Sequence, residues 1–200
     1  MLGLAAPNPC KKASHCSAAL RAASHDCLFS DKRKDKGRMG EPFIIGITGH
    51  RPERLKRQEI EIKLWFEQNF KNFISIYDNV VVISGMARGV DQIAAETALK
   101  CGAKLWCYFP YKHEFKGLEK KLADAASLIS YEKENYSRNS YYLRDKRIVN
   151  DCDLMMVVYD GKPVGGTYLT YDYANSINRD ILLYDLKLGI LERELEYVGK

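Results

Sequence analysis

No hydrophobic run in this 200-residue chain approaches the ~18 residues of a membrane span. The N-terminus has no compact apolar stretch between a basic start and a cleavage site, so it reads as no secretory signal. The six cysteines include no C-x2-C pair. That removes the usual zinc spacing, and no metal is expected. Without an export signal the thiols should stay reduced, in a cytoplasm. Two nucleotide signatures are absent as well: the chain contains neither G-x4-G-K-[ST] nor G-x-G-x-x-G.

Positive charge is also scarce where it would count. The net charge is +5, from 31 Lys/Arg and 26 Asp/Glu; eight and three of these lie in residues 1–40, which leaves 23 of each in the remainder. The basic balance therefore belongs to the first forty residues. A formally neutral remainder counts against nucleic acid as a partner.

Residues 1–40 are rich in Ala, Ser, Lys and Cys and show no sustained period. They read as a disordered basic tail before a domain at 41–200. From residue 43 short apolar runs alternate with amphipathic stretches. Strands are expected at 43–48, 79–84, 103–109, 127–131, 153–159 and 180–184. Helices are expected at 55–73, 90–101, 115–126, 139–151 and 166–177, with a last short one at 187–200. In the first helix Ile60, Leu64, Phe66, Phe70 and Phe73 can share a broad face. Strands apolar throughout, alternating with helices, specify a parallel sheet covered on both sides. The fold class is a three-layer, doubly wound, Rossmann-like α/β domain. Such sheets bind ligands outside the carboxyl ends of their strands.

Three strand ends carry chemistry. Thr48-Gly49-His50-Arg51 closes the first strand. Ser84-Gly85-Met86-Ala87-Arg88-Gly89 leads from the second strand toward Asp91 and a helix. Gly165-Gly166-Thr167 opens the helix after the fifth strand. Glycine turns between strand and helix leave backbone N–H groups bare for a phosphate at the positive helix end. Arg88 and Arg51 add forked cations, Ser84 and Thr167 add hydroxyls, and Asp91 can cap its helix or hold a ribose hydroxyl. Met86 and Ala87 complete the first loop. Arg138, Arg144 and Arg147 can reach an anion, although a solvated face is the plainer role for Arg147. Tyr108, Tyr111, Tyr131, Tyr136, Tyr141 and Tyr142 stand at or near strand ends, where one or two can stack on a base.

The motifs Ile47–Pro52, Ser84–Asp91 and Tyr159–Thr167, with Tyr173-Ala174, resemble the YpsA branch of the SLOG superfamily. That Rossmann-like group also holds the DNA-processing protein DprA and the LOG enzymes. The resemblance spans about residues 43–185 and implies a nucleotide-type site built by the two glycine loops. LOG enzymes carry a motif resembling G-G-x-G-T-x-x-E with a catalytic Glu; here Thr170 stands at that place, and threonine cannot serve as a carboxylate base.

The expected function is recognition of a nucleotide-derived, phosphorylated ligand of the NAD or ADP-ribose type, rather than turnover. Homo-oligomerisation is left open, and no membrane contact is expected. The first alternative is a nucleotide N-glycosidase using Asp91, Glu96 or Asp172. The second is DprA-like binding of single-stranded DNA.

Overall fold

A computed structural model of the chain describes residues 41–55 and 57–188. The expected tail at 1–40, with Cys10, Cys16 and Cys27, and most of the expected last helix lie outside the described residues.

Among the described residues six strands form one all-parallel sheet: β1 (Phe43–Gly49), β2 (Val80–Ser84), β3 (Lys104–Phe109), β4 (Leu128–Tyr131), β5 (Leu154–Tyr159) and β6 (Asp180–Asp185). Their spatial order is β4-β3-β2-β1-β5-β6. Five helices alternate with them: α1 (Glu59–Ile76), α2 (Val90–Cys101), α3 (Gly117–Ala125), α4 (Ser140–Asp151) and α5 (Gly166–Ser176), and a 3-10 turn at Pro52–Arg54 precedes α1. This is the doubly wound, three-layer arrangement expected from the alternation of apolar runs and helices. The central strands are Val/Ile/Met runs because both of their faces are covered: β2 is buried at every position.

Side-chain alternation along β3 shows the two layers. Leu105, Cys107 and Phe109 pack with Ala95 of α2 and with Leu122 and Ala123 of α3. Trp106 and Tyr108 face the other way, with Ile148 and Val149 of α4 and Ala174 of α5. The direction of winding therefore reverses between β1 and β5. That reversal opens a crevice at the carboxyl ends of these strands.

α1 buries Ile62, Trp65, Phe66, Asn69, Phe70 and Phe73. Ile60 and Leu64 were expected on that inner face, but they are 75% and 56% exposed. They fall on a neighbouring stripe, rotated outward past Glu61 and Trp65, which meet Tyr184 of β6. Gly102 ends α2 in the left-handed conformation (φ 90°) with its N–H on Ala98 and Leu99 carbonyls, as its position after the last helical residue predicts. Cys107 and Cys152 are buried, and burial pushes both thiols up to about 12. They behave as small core hydrophobes. Among the described residues no helix is long and apolar enough to cross a membrane.

Candidate functional site

The parallel sheet brings the ends of all its strands to one rim. β2 and β5 flank β1, so the Ser84–Gly89 and Asp160–Gly165 loops stand about 10 Å apart on either side of it. The loop after β1 lies between them. α2 leaves this rim on one face of the sheet and α5 on the other.

Gly49 and His50 hold the three loops together. The Gly49 carbonyl accepts from the Thr167 hydroxyl at 3.0 Å, so Thr167 ties α5 to β1 rather than capping its own helix. The His50 carbonyl accepts from the Val90 N–H at 3.2 Å. Gly89 has φ 100°, and a side chain there would meet the His50 carbonyl oxygen at 2.6 Å. Only glycine fits both the dihedral and the approach.

The His50 ring is 3% exposed, and its Nε2 accepts from the Asp160 N–H at 3.2 Å. Burial, then the nearby Arg54 guanidinium, holds the imidazole below its ordinary range. That lowering favours the neutral ring as acceptor of this bond, and Nε2 also lies 3.1 Å from Asp160 Oδ1. Asp160 is buried too. Burial pushes its carboxyl up, but the Lys162 amide and Arg54 at 2.6 Å outweigh that and leave it lowered. Asp160 is therefore an anion locked by Arg54 beneath the β5 loop. Neither His50 nor Asp160 was assigned this pairing from sequence, because it joins residues from two distant strand ends.

The two glycine loops differ. In the first, the Met86 N–H donates to Ser84 Oγ at 3.1 Å and the Ala87 N–H to Asp91 Oδ2 at 3.3 Å. The expected bare amides are thus partly taken by the loop's own side chains. Gly85 is covered by Arg144, whose Nη1 and Cζ occupy the space a side chain there would need. In the second loop Gly165 and Gly166 are exposed, and a Cβ at Gly166 would meet nothing within 4 Å. No described group accepts from the N–H groups of Gly165, Gly166 or Thr167.

Of the remaining candidates, Arg51 and Arg88 are exposed on the rim, and Thr48 is buried in β1. Arg147 is engaged with Glu132 and Asp151 and lies over the Tyr108 ring. Glu96 pairs with Lys63 and Lys100 along the helices, away from the rim. Asp172 is exposed on α5. The Thr170 hydroxyl donates to the Gly166 carbonyl one turn back, so no carboxylate of α5 stands where a LOG-type glutamate would.

Two features of the rim stand out, the first missed from sequence and the second foreseen in the tyrosines at the strand ends. The first is charge polarity. Arg51, Arg54, Arg57, Arg88, Lys112, Lys116, Lys133, Arg138, Lys162 and Lys187 lie on the strand-end loops, against Glu53, Glu114, Glu132, Glu134 and Asp160. A domain neutral in sum is cationic at this end. The second is an aromatic cluster: Tyr111 packs edge-on to Tyr136 at 5.6 Å and to Tyr141 at 6.1 Å. Tyr136, Tyr141 and Tyr142 are 66%, 40% and 43% exposed.

The family model of DNA recombination-mediator protein A matches residues 56–192. The chain belongs to that family. The SLOG superfamily expected from its motifs is confirmed at this level. DNA processing protein A from Streptococcus pneumoniae shares the fold with a TM-score of 0.58 at 19% identity, over 78% of this chain and 56% of its own. The present chain thus spans little more than half the length of that relative. The Helicobacter pylori DNA processing protein A, described for its single-stranded DNA binding mode, aligns with a TM-score of 0.55 at 21% identity, over 79% of this chain and 73% of its own. The Chlamydomonas reinhardtii molybdenum cofactor carrier protein aligns with a TM-score of 0.52 at 12% identity, over 80% of this chain and all of its own. No curated protein matches the sequence.

These findings correct one expectation. Nucleic acid was set aside because residues 41–200 carry no net charge, and a family of DNA-processing proteins overturns that. The physical error lies in treating net charge as a surface property. Phosphate contacts depend on local cation density, and the rim loops supply it.

Proposed function

We propose that this chain binds single-stranded DNA along the carboxyl-end rim of its sheet, with phosphates on the cationic loops and bases against the tyrosines beside them. The observation that carries the reading is this adjacency of cations and exposed rings on one rim. Proteins that hold single strands combine a basic groove with aromatic platforms, each stacked base contributing about 1–3 kcal/mol. Arg51, Arg88 and Arg138 pair with no described carboxylate and serve as phosphate contacts. Tyr136, Tyr141 and Tyr142 serve as the platform. Residues 41–200 form the binding domain in this reading, and residues 1–40 are a basic extension that adds unspecific attraction. Within the superfamily, the motifs at 47–52, 84–91 and 159–167 favour a place in the YpsA-like branch.

A second reading rests on a separate observation, the exposed Gly165–Gly166 turn before Thr167, whose amides meet no described acceptor. There the ligand is a nucleotide derivative of the NAD or ADP-ribose type, its phosphate on the α5 terminus and on Arg51. The two readings share phosphate chemistry and differ in the rest of the ligand, a polymer strand in one and a single small molecule in the other.

The test is anisotropy of labelled oligo-dT with the full chain, as a function of salt. The expected result is tight binding at low salt, with the log–log salt slope of Arg51→Ala/Arg88→Ala/Arg138→Ala shallower by about one for each lost contact. Affinity and slope identical in wild type and triple variant would remove the rim from consideration. Competition of the oligonucleotide by ADP-ribose at low millimolar concentration would favour the second reading.

A further inference from the structure

Beneath the Gly85 loop lies a buried ionic cluster that the exposed rim does not use. Asp91 is the second residue of α2, and its side chain is 8% exposed. Its Oδ2 accepts from the Ala87 N–H at 3.3 Å and lies 3.7 Å from Nη1 of Arg144. Arg144 reaches it from α4, on the other face of the sheet, with a side chain only 5% exposed. Neither its Nε nor its Nη1 makes a hydrogen bond. Asp145 Oδ1 stands 2.9 Å from Nε without hydrogen-bond geometry. A buried guanidinium with unused donors is costly, since each unmade bond forfeits its desolvation. Neither neighbouring carboxylate satisfies it: Asp91 stands too far away and Asp145 is misaligned.

The cluster therefore has the parts of an anion receptor: an arginine fork, a backbone amide turned the same way, and glycine backbone beside them. Its present anion is internal and fits poorly. Arg51 and Arg88 stand exposed on the loops above it. We propose that the Asp91 carboxylate is a stand-in for a phosphate group: a phosphodiester of the bound strand takes its place against Arg144 and the Ala87 amide, and the displaced carboxylate takes up a proton from solvent. This rests on the reading of the rim as a single-strand binding surface.

The charged groups facing Asp91 are few. Arg144 and Asp145 come from α4, Arg51 from the loop after β1, and the Ala87 amide from its own loop. Thr170 of α5 faces Asp145. Burial pushes the Asp91 carboxyl up to about 7, with Arg144 pulling back against it. Near neutrality the proton is thus exchanged readily. His50 titrates lower, its ring turned to Asp160. Asp145 is also raised by burial, so it needs its own control.

The experiment measures binding of an oligo-dT without terminal phosphate to the full chain at pH 6 and pH 8, at constant ionic strength. Calorimetry in two buffers of different ionisation heat counts the protons. If Asp91 must be protonated in the complex, affinity is about tenfold lower at pH 8 than at pH 6, with close to one proton taken up at pH 8. Asp91→Asn holds the two affinities within about twofold and takes up no proton. Arg144→Gln loses at least about tenfold at pH 6. Asp145→Asn keeps the pH dependence; transfer of that dependence from Asp91 to Asp145 would overturn the proposal.

Equal binding at both pH values with no proton uptake would overturn the exchange and leave the rim reading standing. Absence of oligonucleotide binding at either pH would remove the rim reading, and sulfate then decides the exchange alone. Sulfate does not titrate in this range. Its stabilisation of the full chain should be larger at pH 6 than at pH 8 in wild type and equal in Asp91→Asn. Sulfate stabilisation independent of pH in wild type overturns the exchange. The same sulfate arm replaces Arg144→Gln if that variant does not fold.

Discussion

The guanidinium of Arg144 fills the space in which a side chain at Gly85 would begin. One residue comes from α4 and the other from the end of β2, so the contact ties the α4 layer to the sheet at the rim. Gly85→Ala must expel Arg144 from a position where it is 4% exposed. The substitution should cost about 1–3 kcal/mol, the usual range for overpacking a filled interior. Chemical denaturation measures it. Gly166→Ala, with open space around it, is the control and should change stability by less than about 1 kcal/mol.

Asp91 gives the fold a pH dependence of defined sign. Its folded carboxyl titrates at about 7, and the unfolded one near 4. Between these values the folded state holds the extra proton. The stability it contributes is present below about pH 4 and is lost as pH rises through 7. Asp91→Asn cannot ionise. The variant should therefore gain on wild type by roughly 1–4 kcal/mol between pH 5 and pH 8, read from unfolding curves at each pH. A constant difference across that range would mean that Asp91 does not titrate there.

His50 acts in the opposite sense. Burial holds its imidazole below the ordinary value, so near pH 6 the unfolded chain binds the proton more readily. Stability is complete above the unfolded value of about 6.5 and declines as pH falls below it. His50→Gln keeps an acceptor for the Asp160 N–H and does not titrate, so it should flatten that acid-side decline. His50→Leu strands the Asp160 amide and should cost about 1–3 kcal/mol at every pH. Parallel melts of the three proteins at pH 5.5 and pH 7.5 separate the two effects.

The sheet was legible because Val, Ile and Met runs leave few other options for five- or six-residue segments between helices. The glycine loops were legible because their glycines fall at strand ends. α1 was less so: with Ile60, Leu64, Phe66 and Phe70 all apolar, a 3.6-residue period admits two stripes, and the tertiary contacts of Trp65 and Tyr184 select one. The Arg144–Asp91 contact was not legible at all. It joins residues far apart in sequence on opposite sides of the sheet, and no local pattern records it. The charge error has the same root. A sum over residues 41–200 cannot show that the cations gather at one end, since that depends on which loops the topology turns to the same rim.

Tyr136 separates stacking from charge. Its ring is 66% exposed and braced edge-on by Tyr111, so it can be removed with little effect on the core. Loss of one stacking face should weaken oligo-dT binding by about 1–3 kcal/mol. No phosphate contact is lost, so the salt slope stays that of wild type. Arg138→Ala, two residues along the same loop, should do the reverse in form: a shallower slope by about one, with a loss that shrinks as salt rises. Titrations at three salt concentrations distinguish the two patterns. If Tyr136→Ala altered the slope, or left affinity untouched at every salt, the tyrosines would be packing residues and the strand would run elsewhere on the rim.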